Sequence, residues 1–195
     1  MKIIVMLACC SLVYSCHQTS KEKEKQSAVE ITEPIEFFPV TAYLKGQLAE
    51  IRSRGITPLK YTLIGDHTDS AWLKPEELNT ACMEFLQPKI DTTNLVPLFF
   101  EKKFLDQTIA AYTFTYDPIG TLPNSINLKH WDVYINPETG KVKRIYMVKK
   151  MGANKILQLT WLSDKWCKIT TIIELPDGQS AVEKEEKITW DFDQL

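Results

Sequence analysis

An α+β domain is the fold class this sequence predicts, on three observations: a helical stripe of apolar residues near residue 40, strict apolar–polar alternation through much of the later chain, and turn-forming residues between the alternating runs. The expected arrangement is two or three N-terminal helices with a hairpin, packed on one face of an antiparallel β-meander of about five or six strands, because a sheet so apolar on one side must be covered.

The elements follow in order. Phe37, Val40, Leu44, Leu48 and Ile51 recur at three- and four-residue steps, which predicts a helix ending near Gly55, with Pro39 suited to its first turn. Leu59, Tyr61 and Leu63 then alternate with polar neighbours, Gly65-Asp66-His67 forms a turn, and residues 70–73 return as a strand. Lys74-Pro75-Glu76-Glu77 places proline and acids where a helix N-terminus favours them, and Leu78, Ala81, Cys82 and Phe85 make one face of that second helix. A third, short helix is expected to start at Asp91-Thr92-Thr93-Asn94 and to cover residues 95–102.

Strands dominate beyond Phe104. Residues 108–116 read as the first, with Ala110, Tyr112, Phe114 and Tyr116 on one face. Trp131, Val133 and Ile135 alternate with His130, Asp132 and Tyr134 up to Asn136-Pro137-Glu138-Thr139-Gly140, a hairpin turn whose glycine is placed to take positive φ. Residues 142–148 return, Leu157, Leu159 and Trp161 give the next strand, and Ser163-Asp164-Lys165 turns into residues 166–174. Ile188, Trp190 and Phe192 close the chain with the same alternation.

Composition narrows the function classes. The 195 residues, 44% apolar and 25% charged, suit one ordinary globular domain with appendages. A formal net charge of −2 leaves no basic surplus to neutralise phosphates, which argues against nucleic acid as a partner. None of the seven glycines sits in a phosphate-cradling motif, and neither a nucleophile elbow nor a His-Glu-x-x-His zinc motif occurs. No catalytic residue, metal ligand set or cofactor is therefore assigned, and an enzyme is not expected; a hydrolase would need groups assembled solely by tertiary folding.

The N-terminus carries the clearest signal. Met1 and Lys2 precede an apolar stretch over residues 3–13, the length of a signal-peptide core and too short to span a bilayer. Val13-Tyr14-Ser15-Cys16 resembles the bacterial lipobox, although Tyr14 is bulkier than the residue usual there. The resemblance implies cleavage before Cys16 and lipidation of that cysteine. Residues 1–15 are then a lipoprotein signal peptide, 16–34 the lipidated cysteine with a charged linker, and 35–195 a single domain. His17 to Gln26, HQTSKEKEKQ, has no periodic apolar face and reads as a solvated tether. The whole resembles small lipoproteins of Bacteroidetes, which implies a membrane-anchored address in the cell envelope and supplies no activity; His17, directly after the cysteine where enteric lipoproteins carry aspartate as the inner-membrane retention residue, points to the outer membrane.

Within the body, Cys82 and Cys167 remain, each on an apolar face: two separate buried thiols and a disulfide bridge are both compatible with the sequence. The stretch 131–142 is similar to the hairpin of PepSY-type domains, and the same string also follows from turn chemistry alone. Asp66-His67-Thr68-Asp69 reads as a hairpin tip rather than a cation site, and His130 faces the polar side of its strand. All five tryptophans fall in strand patterns, for which core packing is the ordinary explanation; Trp161 and Trp166 take opposite faces, and an exposed aromatic on a sheet is a common anchor, so these two are the candidate partner surface. The leading expectation is a binding module for an envelope protein, with a carrier of a small apolar ligand or lipid as the alternative. The first predicts an exposed apolar patch and the second a cavity between sheet and helices.

Overall fold

The computed structural model describes residues 37–91 and 94–192. The leader, Cys16, the whole linker and part of the expected cap at residues 91–94 lie outside them.

Among the described residues nine strands form one antiparallel sheet: β1 Leu59–Ile64, β2 His67–Trp72, β3 Phe99–Asp106, β4 Ala111–Pro118, β5 Leu128–Ile135, β6 Val142–Lys150, β7 Lys155–Leu162, β8 Trp166–Glu174 and β9 Ser180–Thr189. Their order is β2-β1-β9-β8-β7-β6-β5-β4-β3, so β3 to β9 run as a plain meander and the first hairpin joins it through β9. The helices among the described residues are α1 Val40–Ser53, α2 Leu78–Ala81 and α3 Met83–Leu86, with a 3-10 turn at Val96–Leu98.

This overturns the expected α+β class: the domain is a nine-stranded sheet with few, mostly short helices. Three causes account for the difference. The second half of the expected third helix, residues 99–102, is the start of strand β3, paired with β4 from Phe99↔Pro118 to Asp106↔Ala111, and Pro97 leaves only the 3-10 turn before it. The charged stretch Glu183 to Lys187 belongs to β9, where Glu185 and Glu186 find Lys168 and Lys60 on the adjoining β8 and β1, and Glu183 finds Lys155 on β7 one strand further, at 2.7–3.0 Å. The first hairpin pairs with β9 from Leu59↔Thr189 to Leu63↔Glu185, contacts more than a hundred residues apart that no local pattern announces.

Two boundaries also move. Gly65, at φ 57°, allows a turn of only Gly65-Asp66, so β2 starts at His67. Residues 107–110 are spent on the β3–β4 turn, where Asp106 Oδ1 accepts from Thr108 N at 2.9 Å and Thr108 Oγ1 at 2.6 Å, and Ala110 takes φ 45°. Consequently β4 starts at Ala111, with Tyr112, Phe114 and Tyr116 still on one face.

The core lies between one sheet face, here the inner face, and the helices. Val40, Leu44, Leu48 and Ile51 turn the buried stripe of α1 onto it. Trp131 stacks on Tyr116 with ring centroids 4.5 Å apart and 10° between planes, and Phe99 and Phe37 close around the pair. Further along, Trp161 meets Phe85 at 5.4 Å and Trp190 at 5.0 Å. Polar pins fix the helix: Tyr43 donates to Ser163 Oγ at 2.7 Å, Asp164 N donates to Gln47 Oε1 at 3.0 Å, and Phe38 N donates to the Tyr116 hydroxyl at 3.1 Å. Lys149, 1% exposed, is held by the Glu84 carboxylate and, at 2.9 Å, by the Glu84 carbonyl.

Candidate functional site

Strand β3 ends the sheet, and among the described residues no strand pairs with its far side. Its first residue is anchored, since Phe99 is buried against Trp131 at 4.7 Å. From there the strand runs into solvent on both faces. Large apolar side chains stay exposed on both sides of this edge: Phe100 (38% exposed) and Phe104 (50%) on one face, Leu105 (48%) and the opposite Tyr112 of β4 (47%) on the other, and Ile109 (39%) in the following turn. Lys102 and Lys103 interrupt them, as lysines on edge strands do to discourage indiscriminate pairing. Each is locally committed: Lys102 to Asp117 at 3.2 Å and Lys103 to Glu101 at 2.8 Å. An edge with open backbone groups and flanking apolar side chains can add an extended strand, main-chain hydrogen bonds giving affinity and side-chain pockets specificity.

The opposite edge differs. Every residue of β2 is exposed, but the run His67-Thr68-Asp69-Ser70-Ala71 is polar or small, and its one large side chain, Trp72, tilts against Phe192 at 5.8 Å. Asp66 and His67 stand at the exposed β1–β2 tip, as read from the sequence, well separated in topology from His130.

On the outer sheet face His130 sits between two carboxylates, Nδ1 at 2.8 Å from Asp117 Oδ1 and Nε2 at 3.0 Å from Asp132 Oδ2. Thr115 donates to Asp132 Oδ1 at 2.6 Å and Tyr134 to Oδ2 at 3.1 Å. The register explains the meeting: Thr115 is opposite Asp132 on the adjacent strand, and β-strand periodicity puts residues 130, 132 and 134 on one face. The hydrogen bond to Asp132, helped by that to Asp117, raises the imidazole above its ordinary value despite burial, which opposes it. Burial pushes both aspartates up, but the bonds from His130, with Lys102 at Asp117 and Thr115 at Asp132, outweigh it and hold both below the usual carboxylate value. With a carboxylate on each ring nitrogen, the imidazole is braced as a charged tie between β4 and β5. Among the described residues no group of three or more His, Cys, Asp or Glu is placed to hold a metal ion.

Of the two tryptophans expected to mark a partner surface, Trp161 is fully buried on the inner face, so it cannot present one. Trp166 does reach the outer face, half-buried with Lys187 Nζ 5.2 Å from its ring centroid, in an open depression of about 500 Å³ shared with Tyr61 and Leu63. A second open groove, about 550 Å³, lies on the inner side beside α2 and α3, with Leu73 and Ile169 among its lining and Glu76, Glu77, Glu84 and Glu186 around it. Cys82 and Cys167 are both buried, with sulfurs 3.9 Å apart. The β5–β6 hairpin expected at 131–142 is present: Asn136 Oδ1 accepts from Glu138 N and Thr139 N, and Gly140 takes φ 67°.

No family model, curated protein or solved structure matches this chain. The β3 edge is the functional candidate that sequence reasoning missed, because residues 95–102 were read as helix. The His130 cluster was missed for a different reason. Its signal, a histidine and a carboxylate two apart on a strand, was present, but the second carboxylate comes from β4 and needs the register.

Proposed function

We propose that the protein is a lipid-anchored, non-enzymatic binding module of the bacterial cell envelope that takes up an extended segment of a protein partner along β3. The observation that carries this reading is a terminal strand whose outer edge no described residue covers and which leaves large apolar side chains exposed on both faces. The lipobox-like Val13-Tyr14-Ser15-Cys16 supports the anchor, and the charged residues that follow give the domain reach from the membrane. The carrier alternative has less support, since Trp131, Trp161, Phe37 and Phe85 fill the core between sheet and helices, and the groove left beside α2 and α3 is open and ringed by Glu76, Glu77, Glu84 and Glu186.

The test compares capture from native membranes by the lipidated protein, by Cys16→Ser, and by a Phe104→Lys, Leu105→Lys double variant. Both substituted side chains are exposed, so folding should change by less than about 0.5 kcal/mol per site. The reading expects a reproducible partner retained by the wild-type chain and lost by the double variant, with Cys16→Ser released into the soluble fraction. Equal retention by wild type and double variant would overturn the assignment to β3.

A further inference from the structure

Cys82 joins α2 to α3: its amide donates to Leu78 O at 3.0 Å and its carbonyl accepts from Phe85 N at 3.0 Å. Cys167 lies near the start of β8, between Trp161 on β7 and Ile188 on β9. The two are 85 residues apart in sequence, yet both thiols are buried and their sulfurs approach to 3.9 Å. A disulfide needs about 2.05 Å, so closing the gap takes about 1.9 Å of sulfur movement, within reach of a side-chain rotation.

We propose that Cys82 and Cys167 are a covalent cross-linking site, oxidised to a disulfide that fastens the α2–α3 segment to the sheet. Three observations support it. The pair is isolated in the core, with no other cysteine among the described residues to compete. The segment it would tie down is built from two four-residue helical pieces, too short to hold themselves by helix formation, so a covalent tie has something to secure. The residues on either side of Cys82, Ala81 and Met83, line one wall of the 550 Å³ groove, while Ile169, two residues along β8 from Cys167, lines it from the sheet. The bond would therefore set the width of that groove.

The chemistry is thiol–disulfide exchange with an external disulfide, either a small-molecule disulfide or the disulfide of a thiol oxidoreductase. The thiolate of one cysteine attacks a sulfur of that disulfide, forming a mixed disulfide and releasing one thiolate. The thiolate of the second cysteine then attacks the protein sulfur of the mixed disulfide, forming the Cys82–Cys167 bond and releasing the other. Two electrons and two protons pass from the protein thiols to the external disulfide, which leaves as two thiols. Burial pushes the Cys167 thiol up and closes it to solvent, so exchange takes place before α2 and α3 dock. For the same reason the finished bond resists reductants until the chain unfolds.

An oxidising compartment rests on the export reading above, whereas the juxtaposition of the two sulfurs does not. The test therefore has two arms. In the first, the full chain is unfolded, reduced and refolded in a buffer of oxidised and reduced glutathione, then alkylated, digested without reduction and mapped by mass spectrometry. The expected product is a Cys82–Cys167 peptide pair two hydrogens lighter than the separate thiols, resistant to dithiothreitol in the folded protein and reduced by it in urea. Its unfolding equilibrium constant should be lower than that of the reduced protein by roughly a thousandfold, the entropic effect of a loop of this length. Two alkylated thiols after such refolding would overturn the proposal. In the second arm, material taken from native cells and alkylated at lysis is mapped in the same way. A linked pair there supports both the site and export. Thiols there, with a linked pair after refolding, support the site and count against export.

Discussion

Replacing His130 by glutamine tests the outer-face cluster through the pH dependence of folding. The imidazole is raised above 6.5 in the folded chain, first by Asp132 and then by Asp117, so over a range of pH above 6.5 the folded protein keeps a proton that the unfolded chain has released. Its stabilisation is complete below the unfolded value and is lost as pH rises through the folded one. Within that window ΔG of unfolding falls by as much as about 1.4 kcal/mol per pH unit, the full linkage slope for one proton. Asp117 and Asp132 act in the opposite direction: both are held below 3.8, so their stabilisation is present above that value and lost as pH falls through their folded values. The cluster is thus at full strength between about pH 4 and pH 6.5. Removing two charge-assisted hydrogen bonds from a partly buried site should cost about 2 kcal/mol at about pH 5.5. Urea titrations from about pH 5 to about pH 9 give both quantities. Wild type should lose stability above about pH 6.5 and the variant should lack that decline. A variant that keeps the wild-type slope would refute the assignment of this proton to His130.

Trp131→Ala removes the centre of the Phe37, Phe99 and Tyr116 cluster and should destabilise by about 3–5 kcal/mol, read as a lowered urea midpoint or failure to refold. Glu84→Ala leaves the Lys149 ammonium, 1% exposed, with a backbone carbonyl as its one remaining Glu84 acceptor; it should cost about 3 kcal/mol, and adding Lys149→Met should recover part of that loss in a double-mutant cycle. Gly140→Val places a β-branched side chain at φ 67° and should cost about 1–2 kcal/mol in thermal unfolding, with the β5–β6 hairpin first to lose amide protection.

What the sequence discloses depends on how local the controlling physics is. The stripe Val40, Leu44, Leu48 and Ile51 and the alternation of Trp131, Val133 and Ile135 are legible because each element buries one face, and the pattern repeats at its own period. Strand β3 is not, because a terminal strand open on both faces has no reason to alternate: Phe99-Phe100 and Phe104-Leu105 come as doublets that suit a helix as well as a strand. Strand β9 is obscured by its charges, which make sense only beside Lys60 on β1, Lys168 on β8 and Lys155 on β7. Alternation did separate Trp161 from Trp166 by face, yet it could not tell which face the helices cover. The helices pack on the face of Trp161, and that tryptophan becomes core.

The claim on which the functional account depends is that β3, rather than the opposite edge, receives the partner. A photoreactive benzoylphenylalanine installed in place of Phe104, and separately in place of Ser70 on β2, followed by irradiation of native cells, tests it most directly. The account predicts a discrete adduct with another envelope protein from position 104 and none from position 70. Adducts from position 70 alone, or the same set from both, would contradict it.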